Sequence, residues 1–342
     1  MSKIDILITF NGGIGFLERC LQSVSNQTFK NYKVFLAIDG TSECITQVLT
    51  KYQKKFPITT IYNKNPIGGF QSFDLLVKKS NSPFFIWLHH DDYWDPTFLS
   101  SIFDLPMQKF KSVSFSTCLY KLVKGDDILE HCDFYITKNK KGKCNLTDEI
   151  IFGNWIQWSF TVIRRESYLQ IGELEEVNSK FQSGHYKTGQ CCYYDSYLWV
   201  LLLKVGDCHY SHQRLGFRQL HNNSSTNKFS KFHIENVIRY NISVFDNLSM
   251  FDRETRLLSL SIVISRLAQK KNLFETAIDM LDNSLLASEL KMDKENFNKK
   301  RFLNRVMTCI DNMIYDHNDS NKNRKLLSKS DKIKYQDILN NI

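Results

Sequence analysis

Apolar and polar segments alternate regularly over the first hundred residues of the chain. Short apolar runs of strand length are followed by longer segments with helical spacing, in which Leu17, Leu21 and Val24 share one face. Strands that alternate with helices through short loops form a mostly parallel sheet with helices on both faces. The pattern predicts strands at 4–9, 33–38, 58–62 and 84–88, and helices at 16–26, 43–54 and 70–79.

The pattern changes after residue 100. It is less regular over 101–230, where it predicts strands at 112–123 and 160–164 and a buried helix at 195–205. From about residue 231 to residue 342 it is wholly helical. We therefore expect an α/β domain over 1–230, with a nucleotide-binding half (1–100) and an acceptor half (101–230), followed by an all-helical C-terminal region. The apolar helices of that region need a covering surface, and a homodimer is one way to supply it.

Polar residues lie just past the ends of three of the predicted strands. Asn11 follows the first strand, Asp39 the second, and Asp91 and Asp92 the fourth. Ligands of open parallel sheets bind at the carboxyl ends of the strands, so these residues are expected to share one nucleotide-sized site. Two adjacent carboxylates repel each other unless a cation lies between them, and such oxygen ligands suit Mg²⁺ or Mn²⁺. An aspartate-rich turn without a ligand is the alternative.

Composition and charge narrow the classes of protein to consider. Of the 342 residues, 42% are hydrophobic, which is enough for a substantial core. No apolar stretch reaches the roughly 18 residues of a membrane span. The absence of a secretion signal and of CxxC pairs among nine cysteines predicts a cytoplasmic protein with reduced thiols. The net charge of +9 favours an anionic ligand. Since no basic motif with interleaved aromatics is found, no nucleic-acid partner is expected.

Several short motifs follow one another in a fixed order. They are Phe10-Asn11, Ser23-Val24-Ser25-Asn26-Gln27-Thr28, Asp39-Gly40-Thr41-Ser42, Asn65-Pro66-Ile67-Gly68, His89-His90-Asp91-Asp92, Tyr194-Asp195 and Arg218-Gln219-Leu220-His221. In order and spacing they resemble the motifs of family 2 glycosyltransferases, of the bacterial surface-polysaccharide type, over roughly residues 3–225. The sequence departs from the family pattern at Ser72 (usually Asn), His89 (the first acid of the metal motif) and Tyr194 (usually Glu).

The resemblance implies a GT-A fold with a Rossmann-like sheet and a metal-dependent enzyme that uses Mn²⁺ or Mg²⁺. Such an enzyme transfers a hexose-type sugar, with inversion, from a nucleoside-diphosphate sugar to a hydroxyl group. By this resemblance Asp91 and His221 bind the metal, and Asp195 is the general base. The residues implied to bind the donor are Phe10, Asn11, Asp39, Gly68, His90 and Arg218.

Some of these roles have structural alternatives. Asp39 either accepts the imide N–H of uracil, which favours a UDP-sugar and allows a dTDP-sugar, or opens a turn. Phe10 would stack on that ring. Asp195 is either the base or a helix N-cap. Trp155 and Trp158 either form a sugar-stacking wall or belong to the core.

The acceptor side and the overall function also leave alternatives open. The expected acceptor is a surface polysaccharide or a lipid-linked oligosaccharide. The basic tail Lys322–Lys334 either docks on the inner face of the cell membrane or is a solvated helix face. The departures from the family pattern favour a degenerate, non-catalytic binding module as the alternative to an enzyme. A sugar-phosphate nucleotidyltransferase would need a basic glycine-rich loop, and residues 11–16 contain no Lys or Arg.

Overall fold

The computed structural model describes residues 3–40, 45–131, 141–144, 146, 156–172 and 194–221. The expectations for residues 231–342, the basic tail and Trp155 lie outside this part of the chain. The division at about residue 230 and the homodimer stay predictions. No helix among the described residues has the length and apolarity to span a membrane.

The first half of the sheet is parallel throughout. Its strands are β1 (Ile4–Phe10), β2 (Tyr32–Asp39), β3 (Ile58–Asn63) and β4 (Phe84–His89), in the order β3-β2-β1-β4. The helices α1 (Ile14–Ser25), α2 (Ile45–Gln53) and α3 (Gly69–Lys79) connect them. The predicted elements of this half are confirmed, with ends that differ by one or two residues. Because β1 and β4 are buried on both faces, their sequences are continuous apolar runs rather than alternating ones.

Beyond β4 the sheet is mixed. Its further strands are β5 (Tyr93–Trp94), β6 (Val113–Lys124), β7 (Asp127–His131), β8 (Gly142–Cys144), β9 (Thr161–Arg164) and β10 (Asp207–Gln219). The order continues β4-β9-β6-β10-β5, with β7 on β6 and β8 on β10. Among the described strands of this half, only β6 and β10 pair in parallel. The α/β class is therefore confirmed, and the parallel arrangement is concentrated in the first half of the sheet, β1 to β4.

Short helical elements connect the strands of the second half. They are a π-helical turn (Ser100–Asp104), α4 (Leu105–Lys109), a 3₁₀ turn (Trp158–Phe160), α5 (Arg165–Gln170) and α6 (Tyr194–Val205). The predicted helix at 195–205 and the predicted strands at 112–123 and 160–164 are confirmed as α6, β6 and β9.

β10 is a long strand that the sequence pattern does not predict. Its pairing with β6 has register irregularities between Ser211 and Arg214 and between Arg214 and Gly216. These irregularities break the alternation of buried and exposed positions by which a strand is recognised in sequence. The strand matters for function because it carries Arg218 and leads to His221.

The Gln-Thr segment after α1 has a structural explanation. Gln27 is fully buried, and its amide donates to the carbonyl oxygens of Ser23 (3.1 Å) and Asp95 (2.7 Å). Its Oε1 accepts a hydrogen bond from the N–H of Leu99 (2.9 Å). A buried side chain that satisfies three main-chain partners ties the segment after β5 to the end of α1. The turn between β4 and β5 is thereby fixed at its far end.

Candidate active site

The predicted site residues lie at one edge of the sheet. β1, β2 and β4 are parallel, so Asn11, Asp39 and Asp91, which lie at or just beyond the carboxyl ends of these strands, are at the same edge. β9 is antiparallel to both β4 and β6, and β10 is parallel to β6, so β10 also runs in the direction of β4. The carboxyl end of β10 therefore brings Arg218 and His221 to this edge.

Asp91 and His221 are in direct contact although 130 positions separate them in the chain. Nε2 of His221 lies 3.0 Å from Oδ2 of Asp91, and the two side chains keep 19% and 22% of their surface exposed. The ring of Phe16, from α1, stacks on the imidazole with 4.7 Å between centroids. The two residues predicted to bind a metal are thus brought together, partly open to solvent, while the metal role itself stays a proposal.

His89 joins this cluster from the end of β4. Potential ligand atoms of His89, Asp91 and Asp92 all lie within 4.8 Å of one another. Imidazole and carboxylate ligands in such proximity are a suitable donor set for a divalent ion. The residues therefore fit the metal that the resemblance implies, with an imidazole at the position of the missing acid.

Burial and charge crowding shift the proton affinities of the cluster. Burial, together with the charge of Asp91, raises the pKa of Asp92 to about 8. Burial alone would raise the pKa of Asp91, but His89, His90 and the hydrogen bond with His221 lower it overall. Burial lowers the pKa of His89 to about 4, so its imidazole is neutral near pH 7, which is the form that binds metals. Only the shift of Asp92 has the direction expected for a buried carboxyl group beside a second carboxylate.

His90 lies in the turn between β4 and β5 (residues 90–92, here called the acid turn) and contacts Phe10. Nδ1 of His90 donates to the carbonyl oxygen of Thr9 (3.1 Å), and the ring is edge-on to Phe10 with 5.3 Å between centroids. Phe10 is only 2% exposed. Phe10 is therefore part of the core in this structure, and its stacking on a nucleotide base stays a prediction. Its position supports His90.

Asp39 holds the turn that precedes α3. Its Oδ1 accepts hydrogen bonds from the Asn63 side chain (3.1 Å) and the N–H of Ile67 (2.8 Å), and its Oδ2 accepts one from the N–H of Gly68 (2.8 Å). Gly68 has a φ of +95°, a conformation that favours glycine. Asp39 and Gly68 therefore build this turn together, as the turn-opening alternative predicts. The uracil contact of Asp39 stays a prediction.

Three further predicted residues are placed as follows. Asn11 is exposed at the sheet edge. Arg218 is near enough for its positive charge to lower the pKa values of both His89 and Asp92. Asp195 lies in the first turn of α6, and its side chain is outside the described atoms.

Trp158 belongs to the core rather than to a sugar-binding wall. It is 4% exposed, and its ring packs against Trp87, Phe73 and Trp199 with centroid separations of 5.1, 5.3 and 5.0 Å. Of the two alternatives for Trp158, the core position is the one observed.

Ser159 is a site residue that the sequence analysis missed. Its hydroxyl donates to Oδ2 of Asp92 (2.6 Å) and accepts from the N–H of His89 (3.1 Å), and the residue is fully buried. One signal in the sequence points to it, since it is a polar residue in the apolar run 158–163. A hydroxyl buried in such a run needs hydrogen-bond partners, and here those partners are the acid turn.

Comparisons with known proteins indicate a glycosyltransferase family and fold. Residues 6–172 match the family model described as glycosyl transferase family 2. An uncharacterized glycosyltransferase of Rickettsia typhi is 22% identical over 228 residues, which are 66% of this chain and 66% of the relative. The match thus spans just under two thirds of that relative. A cholesterol galactosyltransferase of Borreliella burgdorferi is 22% identical over 102 residues, covering 30% of this chain and 28% of that one.

Solved structures share the fold. The crystal structure of S. aureus TarS 1-349 in complex with UDP-GlcNAc has a TM-score of 0.56 at 12% identity, covering 91% of this chain and 81% of that one. Another crystal structure of S. aureus TarS 1-349 gives a TM-score of 0.55 at the same identity and coverage.

Proposed function

We propose that the protein, whose residues 6–172 match the family model for glycosyl transferase family 2 and whose fold resembles that of GT-A glycosyltransferases, is a metal-dependent, inverting glycosyltransferase. It moves a hexose-type sugar from a nucleoside-diphosphate sugar to a hydroxyl of a surface polysaccharide or a lipid-linked oligosaccharide. The observation that carries the proposal is the contact of Asp91 with His221 at the carboxyl edge of the parallel strands. A UDP-sugar is the proposed donor, and the UDP-GlcNAc complex of TarS supports this choice.

The cluster at the end of β4 would hold the metal. The proposed ligands are Asp91, His221 and His89; His221 contacts Asp91 at 3.0 Å, and potential ligand atoms of His89 and Asp91 lie within 4.8 Å of each other, which supports this assignment. When bound, a divalent ion supplies a Lewis acid that offsets the negative charge developing on the leaving diphosphate. Because Mg²⁺ takes oxygen ligands whereas imidazole suits transition metals, the two histidines favour Mn²⁺ over Mg²⁺.

The remaining roles are carried by the chain's own side chains. Arg218 brings a positive charge to the same edge and offsets the charge of the phosphates. Asp39 and Gly68 fix the turn before α3 beside the nucleotide. Asp195 is the proposed general base, whose carboxylate takes the proton of the acceptor hydroxyl as that oxygen attacks the anomeric carbon.

A non-catalytic binding module is the second candidate, favoured by the departures from the family pattern. One departure has an explanation that leaves the site intact. Ser72 is buried, and its hydroxyl accepts from the side chain of Asn63 (3.3 Å), which also donates to Asp39. Ser72 therefore supports the turn before α3.

A panel of nucleotide sugars, each tested with and without Mn²⁺, distinguishes the two candidates. A ligand at about 100 times its dissociation constant adds about 2.7 kcal/mol to the free energy of unfolding, which a thermal-shift assay detects. The enzyme should be stabilised by UDP-sugars only with Mn²⁺, and should slowly release UDP from the stabilising donor. Stabilisation without any release or transfer would favour the binding module. No stabilisation by any nucleotide sugar would contradict both.

A further inference from the structure

We propose that Ser159 is a positioning residue for the metal-binding turn, which it holds in the geometry that brings Asp91 to His221. The proposal rests on the proposed function because it concerns the same site. It adds a residue that lies in none of the motifs on which the family resemblance rests.

Ser159 contacts the chain on both sides of the acid turn and within it. Its hydroxyl accepts from the N–H of His89 (3.1 Å), at the end of β4, and donates to Oδ2 of Asp92 (2.6 Å), the last residue of the turn. Its carbonyl oxygen accepts from Nε1 of Trp94 (2.6 Å), just beyond the turn. A single buried residue thus fixes the chain before, within and after the carboxylate pair.

Asp92 passes this constraint on to β10. Its second oxygen, Oδ1, accepts a hydrogen bond from the main-chain N–H of Gln219 (3.1 Å). Gln219 lies two positions before His221, the residue that contacts Asp91. The series Ser159, Asp92, Gln219 therefore links the turn that carries Asp91 to the strand end that carries its partner.

The turn that carries Ser159 is itself firmly supported. Phe160 stacks on Tyr120 of β6 with 5.1 Å between centroids. It also packs so closely on Gly216 of β10 that a side chain at this glycine would overlap the ring. The hydroxyl of Thr161 donates to the carbonyl oxygen of Gln157 (2.8 Å), which closes the turn. Ser159 thus projects from a rigid base, as a residue that positions others must.

This arrangement gives the two neighbouring aspartates different tasks. Both oxygens of Asp92 accept hydrogen bonds, and the residue is only 5% exposed, so it connects parts of the protein. Asp91 is more open and faces the imidazole of His221. Removing the Ser159 hydroxyl would leave the N–H of His89 and an oxygen of Asp92 unpaired in the interior, and the turn would relax to satisfy them. The metal site should then loosen although no metal ligand has changed.

The test compares two serine-to-alanine variants in the absence of donor. Ser159→Ala removes the proposed positioning hydroxyl. Ser114→Ala is the matched control, because Ser114 is 1% exposed and its hydroxyl has no hydrogen-bond partner among the described residues. Mn²⁺ affinity is measured by the loss of the free-ion signal in electron paramagnetic resonance, and melting temperature is recorded alongside. Loss of an outer partner of a metal site typically costs about 10- to 100-fold in affinity. We expect that loss for Ser159→Ala and none for Ser114→Ala.

The outcomes separate this proposal from the proposed function. Wild-type Mn²⁺ affinity in a Ser159→Ala protein that melts earlier would overturn the positioning role and leave a merely structural one, with the metal site intact. Failure of the wild-type protein to bind Mn²⁺ would overturn both. If Ser159→Ala does not fold, Ser159→Cys, with a weaker donor of similar shape, should fold and show an intermediate loss. Wild-type affinity in that variant would contradict the proposal.

Discussion

Two carboxylate turns lie at the same edge of the sheet and are held in opposite ways. After β2, both oxygens of Asp39 accept hydrogen bonds from N–H groups of the turn before α3. After β4, Asp91 faces imidazoles and lies next to a second, buried carboxylate. A carboxylate whose lone pairs are taken by main-chain donors builds the fold, whereas one surrounded by imidazoles and another acid is suited to a cation. In the sequence Asp39 and Asp91 look alike, because each lies just past a predicted buried strand.

The largest effect is expected from the turn after β4. Asp91→Asn should lower turnover at least a thousandfold, about 4 kcal/mol of transition-state stabilisation, because a neutral amide is a poor metal ligand. Turnover is measured as UDP release from the donor found in the nucleotide-sugar panel. Asp126→Asn is the control, since this side chain is 97% exposed and pairs only with Arg19 among the described residues. If the turnover of Asp91→Asn is within a few fold of that of the wild type, Asp91 does not hold an essential cation, and the proposed difference between the two turns is wrong.

Substitution of Asp39, at the end of β2, should lower the stability of the fold. Asp39→Ala leaves the N–H groups of Ile67 and Gly68 without their acceptor and should lower the free energy of unfolding by about 1–3 kcal/mol in urea. A stable Asp39→Ala protein that has lost UDP affinity alone would instead assign Asp39 to the nucleotide.

The dependence of stability on pH provides a smaller difference between the two turns, and it is measured in the absence of metal. Asp92, with its pKa raised to about 8, keeps a proton in the folded protein that an unfolded aspartate loses near pH 3.9, so stability falls as pH rises through this interval. His89, whose pKa is lowered to about 4, acts in the opposite direction up to about pH 6.5. The fall attributable to Asp92 should therefore emerge between pH 6.5 and 8, at up to about 1.4 kcal/mol per pH unit. Urea unfolding in EDTA should show this slope in wild type and not in Asp92→Asn; equal slopes would refute it.

The smallest predicted effect concerns the backbone beside Asp39. Gly68→Ala should destabilise by about 1 kcal/mol, because φ is +95° and the new Cβ would lie 2.9 Å from Oε1 of Gln71. Gly69→Ala is the matched control, since Gly69 has open space around it and begins α3. That variant should be neutral or slightly stabilising because alanine favours helices. Equal melting temperatures for the two variants would show that the turn is not constrained.

How far the sequence predicts this molecule depends on the range of the interactions. The parallel half follows from local periodicity, and Asp39 and Asp91 are found because each lies just past a predicted strand. β10 is missed because its irregular pairing hides the strand pattern. Ser159 is missed because its role depends on hydrogen bonds to His89 and Asp92, which span 70 and 67 positions. The burial of Phe10 is not predicted because adjacency to a site does not reveal which way an aromatic ring points.

The contact of Asp91 with His221 carries the central claim, that this edge of the sheet binds a nucleoside diphosphate through a metal. The most direct test is a calorimetric titration of UDP into the wild-type protein, in Mn²⁺ and in EDTA, repeated with Asp91→Asn. UDP should bind at least tenfold more tightly in Mn²⁺ than in EDTA, a difference of about 1.4 kcal/mol or more. The Asp91→Asn protein should show no such dependence on the metal. Equal UDP affinity in Mn²⁺ and EDTA, or a dependence that survives in Asp91→Asn, would contradict the account.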